Sequence, residues 1–144
     1  MVSVIGIDHI YISVSCMNRS IEFYDQFMKI LGFRKSHFAL NNDDHVHYYN
    51  KYFGYVIRPA LNREKFNPLN PGLHHFCFRV NEEKEVVEIA SKLKQINIEV
   101  SEPKMYPEYA PDYFAIFVND PDGIELEITN YRKERQLRYE NWDS

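Results

Sequence analysis

Apolar and polar residues alternate with a period of two in two separated stretches, Asp8-His9-Ile10-Tyr11-Ile12-Ser13-Val14 and His74-His75-Phe76-Cys77-Phe78-Arg79-Val80. A strand sends successive side chains to opposite faces. Ile10, Ile12 and Val14 therefore share one face and leave His9, Tyr11 and Ser13 on the other. In the second stretch Phe76, Phe78 and Val80 leave His75, Cys77 and Arg79 opposite. Each stretch runs into a segment of helical period. The first carries Ile21, Tyr24, Phe27, Met28 and Leu31 and stops at Gly32; the second carries Val86, Ile89, Ala90 and Leu93 before Asn97. Ser15 and Asn81 stand where side-chain oxygens would cap these helices. The offset that maps His9 onto His75 also maps Val14 onto Val80, Glu22 onto Glu88 and Phe27 onto Leu93, so the chain reads as two copies of one module.

Further strands are predicted at Tyr48-Tyr49-Asn50 and Tyr55-Val56-Ile57-Arg58, and at residues 113–119 and 124–129, the last two joined by the turn Asp120-Pro121-Asp122-Gly123. Pro68, Pro71 and Gly72 mark residues 62–72 as a link. The expected organisation is a single domain over 1–144: module one at about 5–61, linker 62–72, module two at about 73–130, and a charged helical tail at 131–144.

Composition narrows the class. A 144-residue chain that is 44% hydrophobic can bury a real core. Its 11 tyrosines and 10 phenylalanines could pack that core or line a cavity. A net charge of -4 with no basic run argues against nucleic acid, whose binding rests on Lys and Arg contacts to phosphate. Two cysteines, Cys16 and Cys77, make neither a disulfide framework nor a metal-type pair. No apolar run approaches the roughly 18 residues that span a bilayer. A cytoplasmic protein without membrane or nucleic-acid partners is expected.

The polar face of the last predicted strand changes the picture most. Ile124, Leu126 and Ile128 alternate with Glu125 and Glu127, which fall on the same class of face as the histidines. His9, His75 and Glu127 would then form a set of three donors with open positions, suited to a divalent metal that also holds substrate. His45 and His47 share a face; one reading makes either a fourth ligand, the other makes both exposed polar residues on a strand edge. His37 and His74 read as structural, His74 facing away from His75. Cys77 reads as a small residue on the cavity face rather than a nucleophile. The loop Met105-Tyr106-Pro107-Glu108-Tyr109-Ala110-Pro111-Asp112-Tyr113 could wall a cavity with Tyr106 and Tyr109 or be a turn carrying surface tyrosines.

These motifs together, with Ser20-Ile21-Glu22-Phe23-Tyr24 and Leu31-Gly32-Phe33 on the first helix, resemble the vicinal oxygen chelate superfamily over roughly residues 5–130. That superfamily includes glyoxalase I, fosfomycin-resistance enzymes, methylmalonyl-CoA epimerase, extradiol dioxygenases and bleomycin-binding proteins. The resemblance implies an α+β fold of paired βαββ modules, with curled, partly open mixed sheets around a metal or ligand cavity. It implies a divalent metal (zinc, nickel, manganese or iron) held by His9, His75 and Glu127. Aligning Gly54 with Gly123 puts Arg58 opposite Glu127 in the repeat, where a guanidinium cannot ligate a cation. Arg58 would either bind an anionic substrate or pair with Glu127 or a rim carboxylate.

The implied activity is a metal-dependent glyoxalase-like lyase or isomerase acting on a small, anionic, oxygen-rich molecule, in a homodimer. Glu127, Glu125 and Tyr113 would be its catalytic groups, and Arg58, Tyr11, Cys77, Tyr106 and Tyr109 its substrate contacts. An extradiol-type ring-cleaving dioxygenase, a fosfomycin-type thiol transferase and a non-enzymatic ligand-binding protein are the alternatives.

Overall fold

A computed structural model describes residues 1–144 and resolves them into eight strands and three helices. Contacts divide the chain into two units. The first comprises Met1–Phe66 with Asp120–Asp122, and the second Asn67–Asn119 with Gly123–Ser144.

The first unit runs β1 (His9–Val14), α1 (Met17–Ile30), β2 (Arg34–Leu40), β3 (Asp43–Tyr49) and β4 (Gly54–Pro59). Its sheet has the order β1-β4-β3-β2, with β1 parallel to β4 and the other pairs antiparallel. The second runs β5 (His75–Val80), α2 (Glu83–Gln95), β6 (Lys104–Met105), β7 (Phe114–Asn119) and β8 (Glu125–Asn130), in the order β5-β8-β7-β6. The tail forms α3 (Lys133–Glu140). The architecture is thus the expected α+β pair of modules built on two open mixed sheets. Each module has one strand more than the sequence pattern indicates.

The additional β2 is exposed along most of its length and so lacks the apolar alternation that marks a half-buried strand. Its presence is signalled instead by Asn41 and Asn42, both at positive φ (52° and 68°), the backbone of a two-residue hairpin turn. The predicted helix faces are the buried ones: Tyr24, Phe27 and Met28 on α1, and Val86, Ile89, Ala90 and Leu93 on α2. Gly32, at φ 83°, ends α1, and the Phe33 amide closes back on the Met28 carbonyl at 2.9 Å.

The helix starts differ from expectation. The N-cap positions are Cys16 and Glu82, one residue beyond Ser15 and Asn81. The Ser15 hydroxyl is bonded instead to the Asp122 carboxylate, which also accepts from the Ser15 amide at 3.0 Å. At α2 the Glu82 amide donates to the Glu85 side chain at 2.8 Å.

The first unit's core contains a buried polar chain. The Tyr24 hydroxyl lies 2.9 Å from that of Tyr55 and donates to Asp120 Oδ2 at 2.7 Å. Burial raises the pKa of both tyrosines, so both hydroxyls stay protonated at neutral pH. No helix is long and apolar enough to cross a membrane.

Candidate metal centre

The polar faces of the two sheets hold the candidate residues. In the second unit β5 pairs with β8 in a register that sets His75 beside Glu125 and Cys77 beside Glu127. Leu126 and Ile128 are fully buried on the helix side, which turns Glu125 and Glu127 the other way. Glu127 is only 3% exposed. A buried carboxylate requires partners, and Glu127 faces Tyr113 and His75 as well as the Cys77 sulfur. Tyr113 donates to Oε1 at 2.5 Å, and His75 Nε2 faces Oε2 at 3.4 Å.

Burial, followed by the hydrogen bond to Glu127, raises the Tyr113 pKa, so its hydroxyl is a donor at neutral pH. The Arg132 guanidinium, itself buried, lies over the Tyr113 ring at 4.9 Å. Cys77 retains accessible surface, yet desolvation of its sulfur and then the Glu127 charge push its thiol well above the usual range. A protonated thiol suits the non-nucleophilic reading.

The tyrosine loop packs on itself: Tyr106 stacks on Tyr109 at 5.2 Å, and Tyr109 meets Tyr113 edge-on at 5.4 Å. Tyr106 is buried against Phe117, whereas Tyr109 is exposed. A cavity of about 630 Å³ in this unit is lined by Arg79, Glu82, Tyr131 and Tyr139 and does not include His75 or Glu127.

His74 departs from expectation. It precedes β5, so the period-two rule that turned it away from His75 does not govern it. Its Nδ1 lies 2.8 Å from His75 Nδ1. Donor atoms of His74, His75 and Glu125 all fall within 4.8 Å of one another.

In the first unit His9 and Tyr11 line a cavity of about 490 Å³ with His47, Tyr49 and Val56. His9 Nδ1 is 2.6 Å from Asp8 Oδ2. His45 and His47 lie on β3, an interior strand of the sheet, and not on an edge. His45 is 1% exposed; its Nδ1 donates to the Asp43 carbonyl at 2.9 Å, and its Nε2 is buried without a partner. Phe38 and Tyr11 pack against its ring at 4.8 and 5.8 Å. His37, on β2, is exposed.

The strand register also corrects the repeat alignment. Gly54 lies within β4 and pairs with His9, just as Glu125 pairs with His75. The counterpart of Glu127 is therefore Val56, which pairs with Tyr11, and Arg58 corresponds to Thr129. Gly123 precedes β8 and is not equivalent to Gly54, so equating these glycines shifted the repeat by two residues. Module one still offers no ligand at that place, because the residue there is apolar. Arg58 pairs with Asp43 Oδ2 at 2.9 Å and donates to the Pro59 carbonyl at 2.9 Å.

Over residues 6–128 the chain matches the Glyoxalase/Bleomycin resistance protein/Dioxygenase superfamily. Among solved structures it is similar to a glyoxylase/bleomycin resistance protein/dioxygenase domain from a Frankia species. That pair shares 19% identity, with 90% of this chain and 100% of that one covered and a TM-score of 0.73. It is similar to the fosfomycin resistance protein FosX of Listeria monocytogenes, solved with Mn(II) and sulfate, at 16% identity, 94% and 99% coverage and a TM-score of 0.64. It is also similar to lactoylglutathione lyase from Agrobacterium tumefaciens, at 18% identity, 90% and 94% coverage and a TM-score of 0.62. At these identities the likeness concerns the fold.

Proposed function

The chain belongs to the Glyoxalase/Bleomycin resistance protein/Dioxygenase superfamily, and from that premise we propose that it is a metal-dependent, glyoxalase-like lyase or isomerase acting on a small, anionic, oxygen-rich molecule. The observation that carries the reading is the pairing of His75 Nε2 with Glu127 Oε2 at 3.4 Å. Bonds of about 2.1 Å to a shared cation set neighbouring donors roughly 3.0–3.4 Å apart, so this ring nitrogen and this carboxylate fit a common divalent ion. His9 is proposed as the third ligand. The Mn(II) in FosX supports a divalent metal as the class of cofactor.

The metal would supply Lewis-acid stabilisation of charge developing on a substrate oxygen. The chain's own groups have distinct tasks around it. Tyr113 holds Glu127 Oε1 and leaves Oε2 directed at His75. Glu125, half-buried on the same face of β8, is the group proposed to accept a substrate proton. With two neutral imidazoles and one carboxylate, a divalent ion retains one net positive charge, which favours an anionic substrate. Arg58 already has a carboxylate partner in Asp43 and would add to that preference only by releasing it.

Metal analysis of protein purified without chelators tests the reading. About one divalent ion per chain is expected in the parent and a large loss in His75→Ala and Glu127→Gln; equal content in all three would sink it. Oxygen uptake with a catechol under ferrous iron separates ring cleavage from isomerisation, which consumes no oxygen.

A further inference from the structure

In each unit the residue immediately before the strand-opening histidine engages that histidine's Nδ1. Asp8 Oδ2 lies 2.6 Å from His9 Nδ1, and His74 Nδ1 lies 2.8 Å from His75 Nδ1. The two partners differ in what they can do. An ionised carboxylate only accepts, so Asp8 places the proton on His9 Nδ1 and leaves Nε2 a bare lone pair. A neutral imidazole nitrogen donates in one tautomer and accepts in the other. One proton lies between the two Nδ1 atoms, and the bond between His74 and His75 can run in either direction.

The far side of His75 decides the direction. Its Nε2 faces the Glu127 carboxylate at 3.4 Å. Two bare acceptors facing one another repel, so without a cation Nε2 carries the proton, Nδ1 of His75 is bare, and His74 donates to it. For Nε2 to bond a cation its proton must leave to solvent. The proton between the rings then belongs to His75 Nδ1, and His74 gains one from solvent on its own Nε2. No net proton is released by the pair.

We propose that Asp8 is a fixed positioning residue and His74 a reversible one: His9 is set to ligate before a cation arrives, whereas His75 becomes set only as its bond with His74 reverses. The inference rests on the metal reading above, in which both histidines ligate through Nε2. It also explains why the close approach of His74, His75 and Glu125 need not make a separate cation site, since the Nδ1 atoms of both rings are occupied with each other. Partners of this kind hold a ligating imidazole in its tautomer and orientation.

The test is made on the full 15N-labelled chain at about pH 8, where imidazoles are neutral. Two-bond proton–nitrogen correlations identify the protonated ring nitrogen of each histidine, first without metal and then with Zn(II) alone. Without metal, His9 is expected with Nδ1 protonated and His75 with Nε2 protonated. On Zn(II) addition His75 changes to Nδ1 protonated with Nε2 on the metal, and His9 keeps its tautomer.

Asp8→Asn, whose amide oxygen still accepts, should keep the His9 tautomer; Asp8→Ala should lose it. His74→Ala should weaken Zn(II) binding roughly 10- to 100-fold while leaving His75 with Nε2 protonated in the metal-free state. His9 protonated on Nε2 in the metal-free parent overturns the Asp8 half. Zn(II) on His75 Nδ1, or held by His74 with Glu125, overturns the His74 half. Failure to bind Zn(II) at all overturns both the metal reading and the reversal, while the metal-free tautomer of His9 still judges Asp8.

Discussion

Strands β4 and β8 occupy the same place in their sheets, each parallel to the strand that opens its module, yet they carry opposite chemistry on the same face. Gly54, Val56 and Arg58 stand in β4 where β8 has Glu125, Glu127 and Thr129. The helix sides of both strands are alike, with Tyr55 and Ile57 as fully buried as Leu126 and Ile128. Duplication has thus retained the apolar side that holds each sheet to its helix while the polar sides diverged. Packing needs matched volume on one face, whereas ligation needs one particular donor. In module two a histidine and a carboxylate stand together, whereas module one presents its strand-opening histidine beside a glycine and an apolar residue.

The largest expected effect comes from breaking that asymmetry at its donor end. Glu127→Ala should lower Mn(II) affinity about 100-fold or more, equivalent to about 2.7 kcal/mol, whereas Val56→Ala should leave it unchanged; both are read by calorimetric titration. Equal effects would mean that the two strands do not differ as ligand carriers. Arg58→Ala serves as a second control: its half-exposed pair with Asp43 should contribute no more than about 1 kcal/mol to stability and nothing to metal retention.

The helices sharpen the comparison next. Tyr24 of α1 corresponds in the repeat to Ala90 of α2, and only Tyr24 carries a hydroxyl into its core. Tyr24→Phe should cost about 2 kcal/mol in urea unfolding, because Asp120 Oδ2 loses a buried donor. Smaller still is the contrast at the register partners of the two histidines. A Cβ on Gly54 would overlap His47 Nε2 and come within 3.2 Å of its Cδ2, so Gly54→Ala should shift that ring and cost about 1–2 kcal/mol. Glu125→Ala, at the corresponding place in β8, should stay within about 0.5 kcal/mol.

Much of this frame is legible in the residues themselves. The period-two runs at His9 and His75 place both histidines opposite the helices, and the alternation after Gly123 does the same for Glu127. The readings that failed share one cause. His74 lies before its strand, β2 is exposed along most of its length, and Gly54 lies inside β4 where Gly123 precedes β8. Alternation describes residues within a half-buried strand; it says nothing at the ends, on exposed strands, or about register between neighbours. The edge placement of His45 fails for a related reason: whether β3 is interior or at an edge depends on pairing with β2, which leaves no apolar trace. The partners of Glu127 and Arg58 are set across strands and loops, by side chains whose reach is not encoded in spacing.

The smallest predicted effect isolates Tyr24 from its neighbours through pH. Its folded pKa is raised, first by burial and then by the charges and hydroxyl beside it, while an unfolded tyrosine titrates near its ordinary value of 10.0. Below that value neither state loses the proton, and the contribution to stability is independent of pH. As pH rises through 10.0, the unfolded chain releases a proton that the folded chain keeps, so stability falls with pH until the raised folded value is reached. At pH 10 half of the unfolded Tyr24 is ionised, which removes about 0.4 kcal/mol. Tyr24→Phe should therefore lose less stability than the parent between about pH 8 and pH 10, by that amount, in urea midpoints measured at both. A difference of opposite sign would mean that Tyr24 ionises more readily folded than unfolded, and that the polar chain to Asp120 does not hold its proton.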